Sequence, residues 1–491
     1  VVIIGAGFSG LGTAIRLKRA GIHDFVVLER AGDLGGTWRD NDYPGCCCDI
    51  PSHVYSFSFE LNPSWTRGFA SQAEILEYLR RTADKYGVTP HIRFHQDVEQ
   101  ATWDERTELW EVTTGARTFS AEILVRASGP LSEPTVPSLL GLDGFAGTVF
   151  HSARWNHEHD LSGDRVAVIG TGASAIQFVP QIQPRVQRLH LFQRTPPWVV
   201  PRLDRRITAV EHRLLRIPLV PRLVRAALYW ALELRVVGFR RPKLMRAASR
   251  IARWHLERQV PDPALRARLT PDYTLGCKRI LVSDDYYPAL TKPNVELVTE
   301  GLREVRERSV VTGGGREIEV DTIILGTGFH TTDNPLDARI RGRAGRTLAQ
   351  AWTPSMRAYL GMSVPGFPNL FIIIGPNTGL GHNSMVFMIE SQLNYIMGCL
   401  RSMDERGATT VEVRDDALAA FNAEVDRAMV GTVWTAGHCN SWYLDSTGRN
   451  STLWPGWSFR FRERTRRFEP EKFVLSGRRA PSAEPVPAAR A

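Results

Sequence analysis

Two strand–glycine–helix signatures constrain this chain more than any other feature. Val1 to Ile4 is a β-branched run that reads as a buried parallel strand. Gly5-x-Gly7-x-x-Gly10 follows, then an apolar-periodic helix to about Ala20 and a second apolar run, Phe25 to Leu28, ending in Glu29. The arrangement recurs. Val166 to Ile169 leads into Gly170-x-Gly172-x-x-Ala175, and Leu189 to Phe192 leads to Arg194. Such glycines let a pyrophosphate approach a helix N-terminus, and the residue closing the second strand reads the ribose. Glu29 lies 24 positions after Gly5 and Arg194 lies 24 after Gly170. An acid accepts bonds from free ribose hydroxyls, whereas a guanidinium suits a 2′-phosphate. The first unit is expected to take a nucleotide without that phosphate, and the second to prefer NADP over NAD. Thr171, Ser174 and Ala175 complete the second turn, and Thr195 adds a hydroxyl donor. The fold class expected is α/β, with two Rossmann-like dinucleotide-binding domains.

Between Gly35 and Asp49 the chain reads GGTWRDNDYPGCCCD. Glycine and proline place this stretch in a loop, and a loop so rich in special residues serves a site. It follows Glu29 closely, so it is expected to run along the first nucleotide. Gly36, Thr37, Trp38 and Tyr43 would touch that ligand, and Asp49 would reach its reacting end. Two further runs, Val320–Leu325 and Leu370–Ile374, end in glycine-containing turns where a ligand can approach a parallel sheet. Asn377, in the second of these turns, and Val98, opening the strand-like run Val98–Trp103, are added as cofactor contacts. Ser71 and Glu74 form a capping box for a helix to Tyr86.

The formal net charge of +9 comes from one segment, since residues 205–270 hold 16 Arg and Lys against 4 Asp and Glu. The remainder is slightly acidic, which argues against a nucleic-acid binder. That segment reads as an inserted helical subdomain whose basic residues form a solvated face. Pro218 and Pro221 break its most apolar part, so stable membrane insertion is not expected. The six cysteines, Cys46, Cys47, Cys48, Cys277, Cys399 and Cys439, show no metal spacing. Reduced thiols and a cytoplasmic location are expected. The boundaries read as 1–140 and 331–478 for the first nucleotide domain, 145–204 and 271–330 for the second, 205–270 for the insertion and 479–491 for a disordered tail.

Phe145-x-Gly147-x-x-x-His151-x-x-x-Trp155 stands just before the second glycine turn. With Gly36-x-Trp38, Tyr43-Pro44-Gly45, Asp49 and Lys278-Arg279, it makes the chain resemble the class B flavin monooxygenases. The Trp in last position is similar to the Baeyer–Villiger branch, and the SFSF segment is similar to its hydroxyacetophenone and steroid members. Asn156 stands where that branch carries Pro or Asp. The resemblance implies FAD in the first unit and NADPH in the second, with O2 and a ketone as substrates. A C4a-peroxyflavin would insert oxygen beside the carbonyl to give an ester or lactone. It implies that Arg279 is a permanent positive charge beside the reacting anion. Asp49 would orient Arg279, Lys278 would assist Arg194, and His151 would organise the two domains; the enzyme would be a monomer or homodimer. Two other readings remain. One is a flavin monooxygenase acting on sulfur or nitrogen, and the other is a non-catalytic NADPH-sensing flavoprotein. No CxxxxC pair supports a disulfide reductase.

Overall fold

A computed structural model describes residues 1–115 and 117–477; the tail expected at 479–491 lies outside them. Two five-stranded sheets organise the molecule, and every pairing within each is parallel. In the first, the order is Leu370–Ile372, Leu124–Arg126, Val2–Ile4, Val26–Leu28, Ile92–Arg93. The second runs Val295–Val298, Arg188–Phe192, Arg165–Ile169, Thr322–Leu325, Thr148–His151. Each glycine turn therefore opens from a strand with parallel neighbours on both sides, which explains its β-branched composition. Helix Phe8–Arg19 packs between the first sheet and the long helix Met385–Arg406. Ser71 and Glu74 close the expected capping box on helix Gln72–Lys85.

The strand Arg117–Ala121 has no counterpart in the sequence reading. It pairs antiparallel with Leu109–Thr114 at a sheet edge and is largely exposed, so it carries no apolar alternation. Pro51–Phe59 is a packed loop with one 3-10 turn at Ser52–Val54. In the insertion, the break between helices Ala209–Leu215 and Val220–Glu233 falls at Pro218, whereas Pro221, also expected to break the run, sits in the first turn of the second helix, where its missing N–H is tolerated. Among the described residues no helix is long and apolar enough to cross a membrane.

Cys277 and Cys439 form a disulfide across 162 positions, with Cα atoms 6.1 Å apart. This corrects the expectation of six reduced thiols. No local spacing could have announced it, because it depends on residues 437–450 folding back onto the segment carrying Arg279. The other four cysteines are free.

Candidate active site

Both glycine turns open onto one cavity of about 1680 Å³. Single-ligand pockets span roughly 300–1000 Å³, so this volume suits two nucleotides and a small substrate together. Gly5, Gly7, Glu29, Gly36, Thr37, Trp38, Tyr43, Asp49 and Val98 line one part. Gly170, Thr171, Gly172, Ser174, Arg194, Thr195, Lys278 and Arg279 line another.

Each nucleotide unit passes a test of fit. A Cβ on Gly10 would lie 1.8 Å from the Gly5 carbonyl oxygen, so the helix can sit this close to the strand only with glycine there. Gly170 has φ +111°, and a Cβ on it would meet the Gly326 carbonyl at 2.4 Å. A Cβ on Gly172, by contrast, would meet nothing within 4 Å; the space beside it belongs to the cavity. Buried Glu29 accepts from the Ala6 and Ala31 N–H groups at 2.9 and 3.0 Å and pairs with Arg39 at 2.8 Å. These bonds fix the carboxylate while leaving lone-pair capacity for ribose hydroxyls. The residues present thus suit a dinucleotide at each turn. Gly10→Ala is expected to cost several kcal/mol, through overpacking against backbone that cannot yield. A thermal melt of the purified variant, with its yellow colour, checks this.

Gly10 and Ala175 do not line the cavity; they seat their helices on the strands behind it. Asn377 is a correction. Its side chain is consumed by the chain, donating to the carbonyls of Asn450 and Leu453 at 2.8 and 3.1 Å and accepting from Arg449 at 3.1 Å. It is absent from the cavity wall and instead holds the segment that supplies Ser451, Thr452 and Leu453 to it. The strand-then-glycine pattern located the wall but not which residue faces it.

The Gly35–Asp49 loop is not wholly irregular, since Thr37–Asp40 forms one helical turn. Trp38 donates its indole N–H to the Tyr55 hydroxyl at 3.2 Å, and both rings face the cavity. Gln177, which the motifs did not indicate, clamps the loop to the second domain. It accepts from the Tyr43 hydroxyl at 3.0 Å and the Cys47 N–H at 3.3 Å, and donates to the Cys47 carbonyl at 3.0 Å. Burial pushes the Cys46 thiol up to about 12 and raises Cys48 further from ionisation, so these are packing groups.

The clamp leaves Asp49 facing Arg279. Arg279 donates from Nε at 2.7 Å and lies 2.6 Å away through Nη2, both toward Asp49 Oδ2. The side chains keep 28% and 25% of their surface open. Asp49 first, then the Tyr443 and Cys48 groups, raise the Arg279 pKa above its ordinary value against the cost of burial. Its charge is therefore permanent at any working pH. The neighbouring side chain diverges: the Lys278 ammonium sits 5.0 Å from the Tyr273 ring centroid. Burial lowers its pKa, and Arg194 lowers it further by repulsion. Arg194 has no carboxylate partner among the described residues. Arg194 and Lys278 thus put two cations on the cavity wall, an arrangement that suits an anion.

Of the 145–155 motif, none of the four named residues lines the cavity, although Ala153 and Arg154 do. A Cβ on Gly147 would lie 2.2 Å from the Asp321 carbonyl. Trp155 packs on Phe150 and Phe178 at 5.0 and 5.3 Å, and Phe145 is buried on the other face of that sheet. Asn156 accepts from the Glu158 N–H at 3.2 Å, a local turn that Asp would also support. His151 accepts from the Ala153 N–H at Nδ1 and lies edge-on to Phe329. Burial lowers its pKa to about 4. A folded pKa below the unfolded value of 6.5 means stability is complete above 6.5 and falls as the pH drops toward 4. His151→Gln is expected to remove about 2 kcal/mol of that acid-linked loss. Urea unfolding midpoints at pH 7 and pH 4.5 check it.

Comparison with known proteins agrees with this geometry. Residues 2–215 match the family model described as pyridine nucleotide-disulphide oxidoreductase. A Baeyer–Villiger monooxygenase of Streptomyces coelicolor is 53% identical over 472 residues, covering 96% of this chain and 91% of the relative. The chain belongs to the Baeyer–Villiger monooxygenases. A monooxygenase of that name from Pseudomonas aeruginosa is 49% identical over 500 residues, covering 99% of this chain and 95% of its own. Among solved structures, an oxidized steroid monooxygenase bound to NADP superposes with TM-score 0.85 at 30% identity, covering 96% and 98% of the two chains. OTEMO in complex with FAD and NADP gives 0.87 at 28%, covering 97% and 99%. This monooxygenase is accordingly an FAD-containing, NADPH- and O2-dependent enzyme that converts a ketone to an ester or lactone. The non-catalytic reading falls with that assignment.

Proposed function

We propose that Arg279 and Asp49 form the reacting centre of this Baeyer–Villiger monooxygenase and that its substrate is an apolar ketone. Bound FAD, reduced by NADPH, supplies the oxygen chemistry. The chain supplies a fixed positive charge at Arg279, held by Asp49, next to which an anionic oxygen is stabilised. That ion pair is the observation carrying the reading. Glu29, with the Gly5–Gly10 turn and Trp38, would hold FAD, while Arg194, Thr195 and Lys278 would hold the NADPH 2′-phosphate. His151 would keep the two domains in register as a neutral residue. The 1–140 and 331–478 segments would form the FAD domain, with 145–204 and 271–330 the NADP domain.

The ketone assignment is supported by the wall near Arg279. Trp442 and Leu453 line the cavity, and buried Tyr443 packs behind them in the same apolar cluster as Leu453. Trp442 and Leu453 present mainly apolar surface, so selection would rest on shape and apolar burial. Structural relatives include a steroid monooxygenase and a cyclohexanone monooxygenase bound to ε-caprolactone. A cytoplasmic monomer or homodimer fits consumption of NADPH.

Oxygen uptake with NADPH and a panel of cyclic, aryl, linear and steroid ketones, read with product masses, tests the proposal. A product heavier than an apolar ketone by one oxygen supports it. Turnover of thioethers and amines with no ketone accepted would overturn it.

A further inference from the structure

The insertion holds a surface that the catalytic reading does not use. Of sixteen exposed large apolar side chains among the described residues, eight fall between Leu203 and Leu234. They are ordered. On helix Val220–Glu233 and its caps, Leu219, Leu223, Trp230 and Leu234 project within about 60° of one another at 100° per residue. Their exposures are 64%, 67%, 49% and 61%. The adjoining helix Ala209–Leu215 exposes Val210 and Leu214 one turn apart. A solvated face would put charges on these positions.

The charges flank the stripe instead. Arg213, Arg216 and Arg222 are exposed and have no carboxylate partner among the described residues. The nearby acids are spent. Asp204 pairs with Arg67, Glu211 pairs with Arg205, and Glu233 is buried with His382, Asn383 and Ser458. The opposite face of the helix anchors it, with Arg225 donating to the His53 carbonyl and to Ser56. The stripe is thus presented on a fixed support.

We propose that helices Ala209–Leu215 and Val220–Glu233 dock reversibly on an anionic phospholipid bilayer, with the leucines and Trp230 at the acyl boundary and the arginines among the headgroups. Charge complementarity selects this occupant. A second copy would bring the same unpaired arginines against one another. A nucleic acid would satisfy the arginines but leave the apolar stripe in water. The helices lie in the interface and do not span it, consistent with their length and interruption.

Sedimentation of the FAD-loaded enzyme with vesicles of phosphatidylcholine, alone or with phosphatidylglycerol, tests this. Binding is expected only with phosphatidylglycerol, and it is expected to weaken as salt is raised. The triple variant Leu219→Ser, Leu223→Ser, Trp230→Ser alters three exposed side chains, of which Trp230 also packs on Phe459. It is expected to keep NADPH turnover in solution and to lose at least about tenfold in vesicle partitioning. Arg213→Glu with Arg222→Glu is expected to lose binding likewise. Equal binding to both vesicles, no binding to either, or unchanged binding by the triple variant would overturn the proposal. So would a lipid-free dimer that the triple variant dissociates, because the second copy would then cover this face.

Discussion

Arg279→Ala is expected to lower ester or lactone formation about 10²–10³-fold while NADPH oxidation continues. Two features make the effect large. The guanidinium is the charge that Asp49 fixes on the cavity wall, at 2.6–2.7 Å. Removing it also leaves the Asp49 carboxylate facing the same space unpaired, so the local charge changes sign. Arg279→Lys is expected to recover part of the activity, because Lys is a point charge without the fork that grips Asp49. Asp49→Asn keeps the side chain's shape but removes the partner charge, and a smaller loss is expected. Parallel measurement of NADPH consumption and product mass separates the possibilities. Wild-type product yield in Arg279→Ala would remove the residue from the reaction, and would favour the oxidation of sulfur or nitrogen, which needs no such charge. Loss of NADPH oxidation together with product would place Arg279 in coenzyme binding instead.

A second large effect is expected at the coenzyme. Arg194→Ala should raise KM for NADPH about 10–100-fold, the range for removing a charge-assisted bond, with KM for NADH little changed. Adding Lys278→Ala should raise the NADPH value further, though by less than an additive amount, because the two cations share one anion. Burial first, and then repulsion from Arg194, lowers the Lys278 pKa, so a counter-anion would favour its charged form. Steady-state kinetics with both coenzymes check the prediction. An equal rise in both KM values would mean that Arg194 reads something other than the 2′-phosphate.

The disulfide changes how the site is understood. Cys277 stands two residues before Arg279, and Cys439 four before Tyr443. The segment carrying Trp442 and Tyr443 is therefore tied covalently to the loop carrying Arg279, just before the strand Leu281–Val282. Adjacency and compartment, the only local guides, point to six reduced thiols. The bridge joins residues 162 positions apart, which only the tertiary structure brings together.

What sequence alone determined about this monooxygenase is what local backbone geometry demands. Gly5, Gly10 and Gly170 were legible because their conformation or close approach admits almost no other residue. Glu29 and Arg194 were legible because each closes a strand at a fixed distance from its turn. The break at Pro218 and the cap at Ser71 are likewise local. The tertiary structure alone decided which distant groups meet. It paired Asp49 with Arg279 across 230 positions, set Gln177 on the Gly35–Asp49 loop, and turned Asn377 inward onto residues 449–453. It also showed that the insertion carries an ordered apolar stripe where a charged face was expected. The physical reason is the same throughout. A turn or a cap is satisfied by its neighbours in the chain and so leaves a pattern there. An ion pair, a clamp or a disulfide depends on how two independently formed sheets pack, and no short stretch of sequence records that.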